Sequence, residues 1–365
     1  MTVKTVSAAG PPQGANCAPS GGSEAATAAS VGVQLRPHAA LYGDERPLPV
    51  LPPCVHYAGS ERFIAKALEL QRARGPAFDV AGDCEDGAPI GGEIAHARMI
   101  AALIQSSSNA HGRFGARIHD VRHPAWQSDL EILVGEAGDR IAFLTLPKAE
   151  TAADVERTLD AVASHTARRG LGRSIPVSVL VETPSAVHDA WRIAALPGIV
   201  SLDFGTLDFV SAHHGAIPLT AMESPGQFDH ALVRRAKAEV AAAALAHAIV
   251  PAHGVTRVLD DPETVYADAL RARDELGFLR MWSIHPSQID PIIRAFAPNA
   301  LEVEEATAVL VAAQAVDWAP LRVAGKLHDR ASYRYCWSVL QRARAAGAPT
   351  PSSAAAFFEP DRVAA

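Results

Sequence analysis

Short apolar runs alternate with amphipathic stretches along most of this chain, from about Leu48 to Pro298. Eight runs have the length and the β-branched or aromatic content of buried strands: LPVLPPCVHYA, AFDVAGDCE, FGARIHD, IAFLTLPKA, PVSVLVET, IVSLDFG, AIVPAHGV and LRMWSIHP. The stretches between them carry helix signals. Ser60 precedes ERFIAKALELQRARG, Thr151 precedes AADVERTLDAVASHTARRG, and Asp261-Pro262 opens ETVYADALRARDELG. Eight strand–helix units in about 250 residues match the size and alternation of an α/β fold of the (β/α)8 TIM-barrel kind. A doubly wound sheet would ordinarily have fewer strands and a glycine-rich phosphate loop after its first, and no G-x-G-x-x-G or Walker loop occurs.

The flanks differ from this body. Residues 1–45 are rich in Ala, Gly, Ser and Pro and lack the continuous apolar core of a secretory signal, so they read as a disordered leader before a barrel over 46–298. Residues 299–347 resume as helix, with a polar AGKLHDRASY segment between LEVEEATAVLVAAQAVDWA and YRYCWSVLQRARAAG; 348–365 read as a flexible tail.

Composition narrows the partners. With 365 residues, 48% of them hydrophobic, the chain can bury a large core, while a net charge of −7 and no long Lys/Arg cluster argue against nucleic acid. No apolar run approaches a membrane span. Cys17, Cys54, Cys84 and Cys336 lie far apart without C-x-x-C spacing, which suits the reducing cytoplasm and predicts no disulfides.

In a parallel barrel the loops after the strands share one rim, and the polar residues of this chain collect there. The fifth run ends in Glu182 and the sixth leads to Asp208, so the two carboxylates fall at equivalent ends of successive strands and can converge on one hard divalent cation. Taken singly, Glu182 could cap the next helix and Asp208 could sit in a turn; their common register favours the metal. The second run ends DCEDG, and Asp83, Glu85 and Asp86 would repel one another without a cation or hydrogen bonds to offset them. If extension continued, Asp83 and Glu85 would share one face and Asp86 would take the other. Arg117 in the third run needs an anionic partner, either a substrate oxygen or a structural carboxylate. Lys148 either reaches the rim or caps it. His285 and His119 either serve the site or bond backbone.

The ordered string D-x-E-D-G (Asp83 to Gly87), A-R-I-H (Ala116 to His119), L-P-K (Leu146 to Lys148), V-E-T (Val181 to Thr183), F-G-T-L-D-F (Phe204 to Phe209) and I-H-P-S-Q-I (Ile284 to Ile289) resembles the HpcH/HpaI aldolase and citrate lyase β-subunit superfamily over roughly residues 48 to 345. The resemblance implies a barrel of the phosphoenolpyruvate/pyruvate-binding type, assembled as a homo-oligomer, a trimer or hexamer. It also implies Mg²⁺, or Mn²⁺, held by Glu182 and Asp208, Arg117 on the acyl oxygens, and Glu85 and Asp86 near the metal waters. Asp329, in Gly325-Lys-Leu-His-Asp, is implied to reach a neighbouring subunit's site. Coenzyme A, as part of the substrate, is an inherited expectation; Arg62 and Lys66 on the first barrel helix are either its phosphate contacts or solvated surface cations.

Three departures bear on substrate. His119 stands where the family usually has Asn, H-Y-A-G (His56 to Gly59) stands where many relatives have F-V-P-G, and SAHHGAIPLTAMESPGQFDHALV after Asp208 reads as an insertion over the pocket mouth. The expected activity is Mg²⁺-dependent cleavage of a citryl-, malyl- or citramalyl-CoA-like β-hydroxyacyl thioester through a metal-stabilised enolate. The proton acceptor would be Asp329 or a water held by Glu85. A class II 2-oxo-acid aldolase without CoA, a CoA-ester hydrolase and a catalytically silent regulator on the same barrel are the alternatives.

Overall fold

A computed structural model describes residues 35–359. Eight parallel strands close into one barrel in sequence order: β1 Cys54–Ala58, β2 Phe78–Asp83, β3 Phe114–Arg117, β4 Leu144–Leu146, β5 Val177–Val181, β6 Ile199–Phe204, β7 Val250–His253 and β8 Arg280–Ser283. Closure is made by β1 against β8, with Cys54 opposite Met281 and His56 opposite Ser283. Each predicted run contains one of these strands.

The apolar runs are continuous because the strands bury both faces. Side chains pointing outward, such as Phe78, Val80, Phe114 and Val179, meet the helices in the main core. Those pointing inward, among them Val55, Tyr57, Ala81, Leu180 and Trp282, fill the barrel. The lower interior is polar: Arg280 donates to Asp79 at 2.7 Å, and Trp282 Nε1 donates to Asp203 at 2.9 Å.

Local signals fix the helix boundaries. Ser60 caps helix Glu61–Arg74, Thr151 and Asp154 form a reciprocal capping box on Ala152–Arg169, and Asp261 caps Pro262–Leu276. No described helix is long and apolar enough to cross a membrane.

Helices Ala300–Ala315 and Arg330–Ala345 build a second apolar core with Leu310, Tyr333, Trp337 and Leu340. Three readings of the flanks change here. The expected leader over 1–45 falls outside the described residues up to Gln34, but Pro37–Tyr42 is helical and buries Leu41 in this second core. The segment between the two helices is a hairpin, β9 Leu321–Val323 with β10 Lys326–His328, turned by Ala324 and Gly325 at φ 46° and 80°. In the expected flexible tail, Ser352–Phe358 form a 3₁₀ turn that buries Ala354 and Phe357 against the same core.

Cys54, Cys84 and Cys336 are buried free thiols, and Cys17 lies outside the described residues.

Candidate active site

Glu182 follows β5 directly. Val181 pairs with Phe204 of β6, so the glutamate side chain runs beside Gly205. A Cβ on Gly205 would stand 2.4 Å from Glu182 Oε2 and 2.5 Å from its Cβ, which leaves room for glycine alone. After Gly205 the chain turns at once into helix Thr206–Ser211, whose first turn carries Asp208. The two acids are therefore not at equivalent strand ends: one lies a residue beyond its strand, the other four. The tight turn at Gly205 nevertheless returns Asp208 to the same cavity wall.

That cavity, about 910 Å³, opens at the carboxyl ends of the strands. Glu182 is buried, and its Oε1 accepts the Lys148 backbone N–H at 2.7 Å. Burial, reinforced by the charge of Asp208, pushes the Glu182 carboxyl up to about 8. Burial also raises the Asp208 carboxyl, although Lys148 and Arg117 oppose it. A pair of carboxylates short of positive charge is what a hard cation relieves. Among the described residues no group of three or more His, Cys, Asp or Glu side chains is placed to hold a metal ion. Two carboxylates suffice for Mg²⁺, which keeps several waters and takes the rest of its octahedron from substrate. The donor set therefore fits that ion.

Extension does not continue past Asp83. Its carboxylate accepts the amides of Glu85 at 3.1 Å and Gly87 at 3.0 Å, folding D-C-E-D-G into a turn. Gly87 is packed so closely that its carbonyl oxygen occupies the position a Cβ on Gly59 would take, which ties the turns after β1 and β2 together. Arg117 Nε donates to Asp83 Oδ1 at 2.7 Å, its Nη2 donates to Oδ2, and its Nη1 lies 2.9 Å from Glu85 Oε2. The partner left open by the sequence is thus a carboxylate of the protein. Arg117 still lines the cavity, above the Tyr57 ring.

Lys148 reaches the rim. Its ammonium contacts Glu85 and lies 2.9 Å from Asp86 Oδ1. The Asp86 carboxyl is buried enough to be raised, but the hydrogen bond from Lys148 wins and holds it low. Burial raises Glu85 despite Arg117 and Lys148. The sequence marked Asp83 as part of an acidic strand end, left Lys148 between rim and cap, and noted His56 only within H-Y-A-G; the pairing of Asp83 with Arg117 and of Lys148 with Glu85 and Asp86 comes from the fold.

Arg62 and Lys66 both border the cavity from helix Glu61–Arg74, with Lys66 paired to Glu69 at 2.9 Å. Other expectations shift. His119 turns away from the cavity: its Nδ1 lies 2.7 Å from buried Asp129 and its ring stacks on His123 at 4.0 Å. His285 borders the cavity and also caps helix Pro286–Phe296. The segment after Asp208 does not cover the mouth. Ile217, Ala221, Gln227 and Phe228 bury it against the barrel side, where Gln227 binds Lys237 and Asp268, and none of residues 211–230 lines the cavity. Its apolar positions needed a wall, and the outer surface supplied one. Asp329 caps helix Arg330–Ala345 and does not line the cavity of its own chain.

Comparison with known proteins follows the same geometry. The model of the HpcH/HpaI aldolase/citrate lyase family matches residues 80–286. A crystal structure of a citrate lyase from Burkholderia xenovorans is 48% identical, covers 89% of this chain and 100% of its own, and superposes with a TM-score of 0.77. An L-malyl-CoA/β-methylmalyl-CoA lyase from Rhodobacter capsulatus is 28% identical over 259 residues, 67% of this chain and 81% of the relative. A citrate lyase β subunit from Mycobacterium tuberculosis, complexed with oxaloacetate and magnesium, is 25% identical, covers 68% of this chain and 98% of its own, and gives a TM-score of 0.53.

Proposed function

This chain belongs to the HpcH/HpaI aldolase/citrate lyase family, and we propose that it is a carbon–carbon lyase that cleaves a β-hydroxyacyl-CoA thioester of the malyl-, citramalyl- or citryl-CoA kind. The observation that carries this reading is one cavity bordered both by Glu182, Asp208 and Arg117 and by Arg62 and Lys66. Such a cavity has a place for a small oxygen-rich acyl group and for an anionic arm.

Glu182 and Asp208 would hold a divalent cation, Mg²⁺ or Mn²⁺, which when bound polarises the acyl carbonyl and offsets the charge that develops as the bond breaks. The remaining work belongs to the chain. Asp83 and Glu85 fix the Arg117 guanidinium, so its position against the acyl oxygens costs no reorganisation at reaction. Lys148 holds Glu85 and Asp86 in place and cancels part of their charge. In the cleavage direction the substrate hydroxyl loses its proton, the Cα–Cβ bond breaks to leave an oxo product, and the α-carbon of the thioester takes up a proton. Asp329 of a second copy, in a homo-oligomer, is our candidate for the hydroxyl proton; a water held by Glu85 is the other. The buried free thiols suit the reducing cytoplasm as the working compartment.

The test is a Mg²⁺-dependent cleavage screen of purified protein on β-hydroxyacyl-CoA thioesters beside free 4-hydroxy-2-oxo acids. Release of acetyl-CoA and an oxo acid supports the lyase. Pyruvate from the free acids alone would make it an aldolase, free CoA without carbon–carbon cleavage a hydrolase, and binding without turnover a regulator. Calorimetric Mg²⁺ titration of Glu182→Gln and Asp208→Asn checks the metal assignment, which fails if both variants keep the parent affinity.

A further inference from the structure

The wall of this cavity contains a buried histidine whose hydrogen-bonding state the surrounding groups determine. His56, at the third position of β1, is 2% exposed and borders the cavity. Its Nδ1 lies 2.7 Å from the Ser283 hydroxyl of β8. That hydroxyl has one proton, and it donates it to the carbonyl oxygen of His285 at 3.1 Å. A carbonyl oxygen can only accept, so both contacts are hydrogen bonds only when Ser283 Oγ accepts from His56, which puts the imidazole proton on Nδ1 and leaves Nε2 a bare acceptor. No described residue donates to Nε2, and Nε2 is not among the atoms sealed from solvent without a partner. With the residue almost wholly buried, the access that remains to this nitrogen is through the cavity. Burial, with the nearby His285, holds the imidazole down at about 4, so it stays neutral under working conditions.

The same cavity is lined by the carboxylates with Arg117 and by Arg62 and Lys66 on the helix. His56 sits on the strand that leads into that helix. A ligand that reaches both the acids and the cations shares the cavity with it. We infer that His56 is a specificity-determining residue whose Nε2 accepts a hydrogen bond from an amide N–H on the thioester arm of the substrate. This rests on the CoA-thioester reading above. It goes further by naming an uncharged contact in mid-arm that rejects a chain lacking the donor. A site built around one hydrogen bond discriminates because the analogue leaves a buried polar atom unpaired.

Two substrates and two variants test it. One substrate is a malyl-CoA-type thioester; the other is the same molecule with the amide nearest the sulfur replaced by an ester, which keeps length and carbonyl but lacks the N–H. The unmodified protein should prefer the amide in kcat/KM by roughly tenfold, the size of one net hydrogen bond. His56→Asn keeps a donor toward Ser283 and removes the distal acceptor, and His56→Phe removes both. Each should erase the preference, with the loss falling on KM for the amide substrate. Because the two substrates are compared on the same preparation, a fraction of misfolded protein cancels from the ratio. Equal turnover of amide and ester by the unmodified protein, or a preference that survives in both variants, overturns the assignment while leaving the lyase reading intact. Absence of both CoA-thioester turnover and calorimetric acetyl-CoA binding overturns both.

Discussion

The backbone N–H of Lys148 donates to Glu182 Oε1 at 2.7 Å while the same residue's ammonium holds Glu85 and Asp86. One residue thus joins the acids after β2 to the acid after β5. Its φ of 49° is the left-handed backbone that aims the amide at Glu182. Lys148→Met keeps the amide and removes the ammonium, leaving Glu85 and Asp86 facing each other. We expect kcat/KM to fall at least about tenfold and stability to drop by about 1–2 kcal/mol, the scale of a charge-assisted hydrogen bond. Steady-state kinetics and urea unfolding check this; unchanged kinetics would reduce Lys148 to a surface cap.

Gly205→Ala puts a methyl where Glu182 lies. The buried carboxylate has to move, so Mg²⁺ affinity should fall by at least about tenfold, as one ligand's geometry is lost. Calorimetry reads this directly. Normal Mg²⁺ binding in the alanine variant would show that Glu182 is not a ligand.

Arg117→Lys retains charge but loses the fork that grips Asp83. Because Asp83 is buried, stability should drop by about 3 kcal/mol along with activity. An inactive variant with the parent's unfolding midpoint would assign Arg117 to substrate alone.

Burial disfavours the charged form of His119, but the hydrogen bond and charge of Asp129 outweigh it and raise its pKa. A histidine raised on folding contributes stability that is fully present below its unfolded value, about 6.5, and is lost as pH rises through the folded value. The stability gap between the unmodified protein and Asp129→Asn should therefore narrow as pH rises from about 6 toward 9. Urea titrations across that range test it, and a gap that stays constant or widens would sink the idea.

Asp329 caps a helix in its own chain and is exposed beside the β9–β10 hairpin. If it serves a neighbour, mixing Asp329→Ala with Glu182→Gln protein should restore activity, since some shared sites then hold both native groups. No recovery, with subunit exchange confirmed by native mass spectrometry, would remove Asp329 from catalysis.

The sequence by itself determined the barrel. Eight apolar runs and capped helices such as Thr151–Arg169 are local signals, read by side-chain periodicity and backbone hydrogen bonding, and each predicted run holds its strand. It also placed Glu182, Asp208, Arg117 and Glu85 at one end of that barrel, because strand direction alone puts all the following loops on one rim; Arg62 and Lys66, on a helix, came in only with the family's expected CoA. What it left open was pairing across the fold. Arg117 could have met substrate or carboxylate, and only the closeness of β2 and β3 gave it to Asp83. The segment after Asp208 read as a lid, yet its apolar side chains found a wall on the barrel's flank. Helix Pro37–Tyr42 and the turn Ser352–Phe358 looked like loose ends because too few apolar residues lie in either to hold it alone; the second core, shared with helices far off in sequence, supplies their burial. Long-range contacts of this kind depend on which surfaces the folded chain brings together, and no local pattern encodes them.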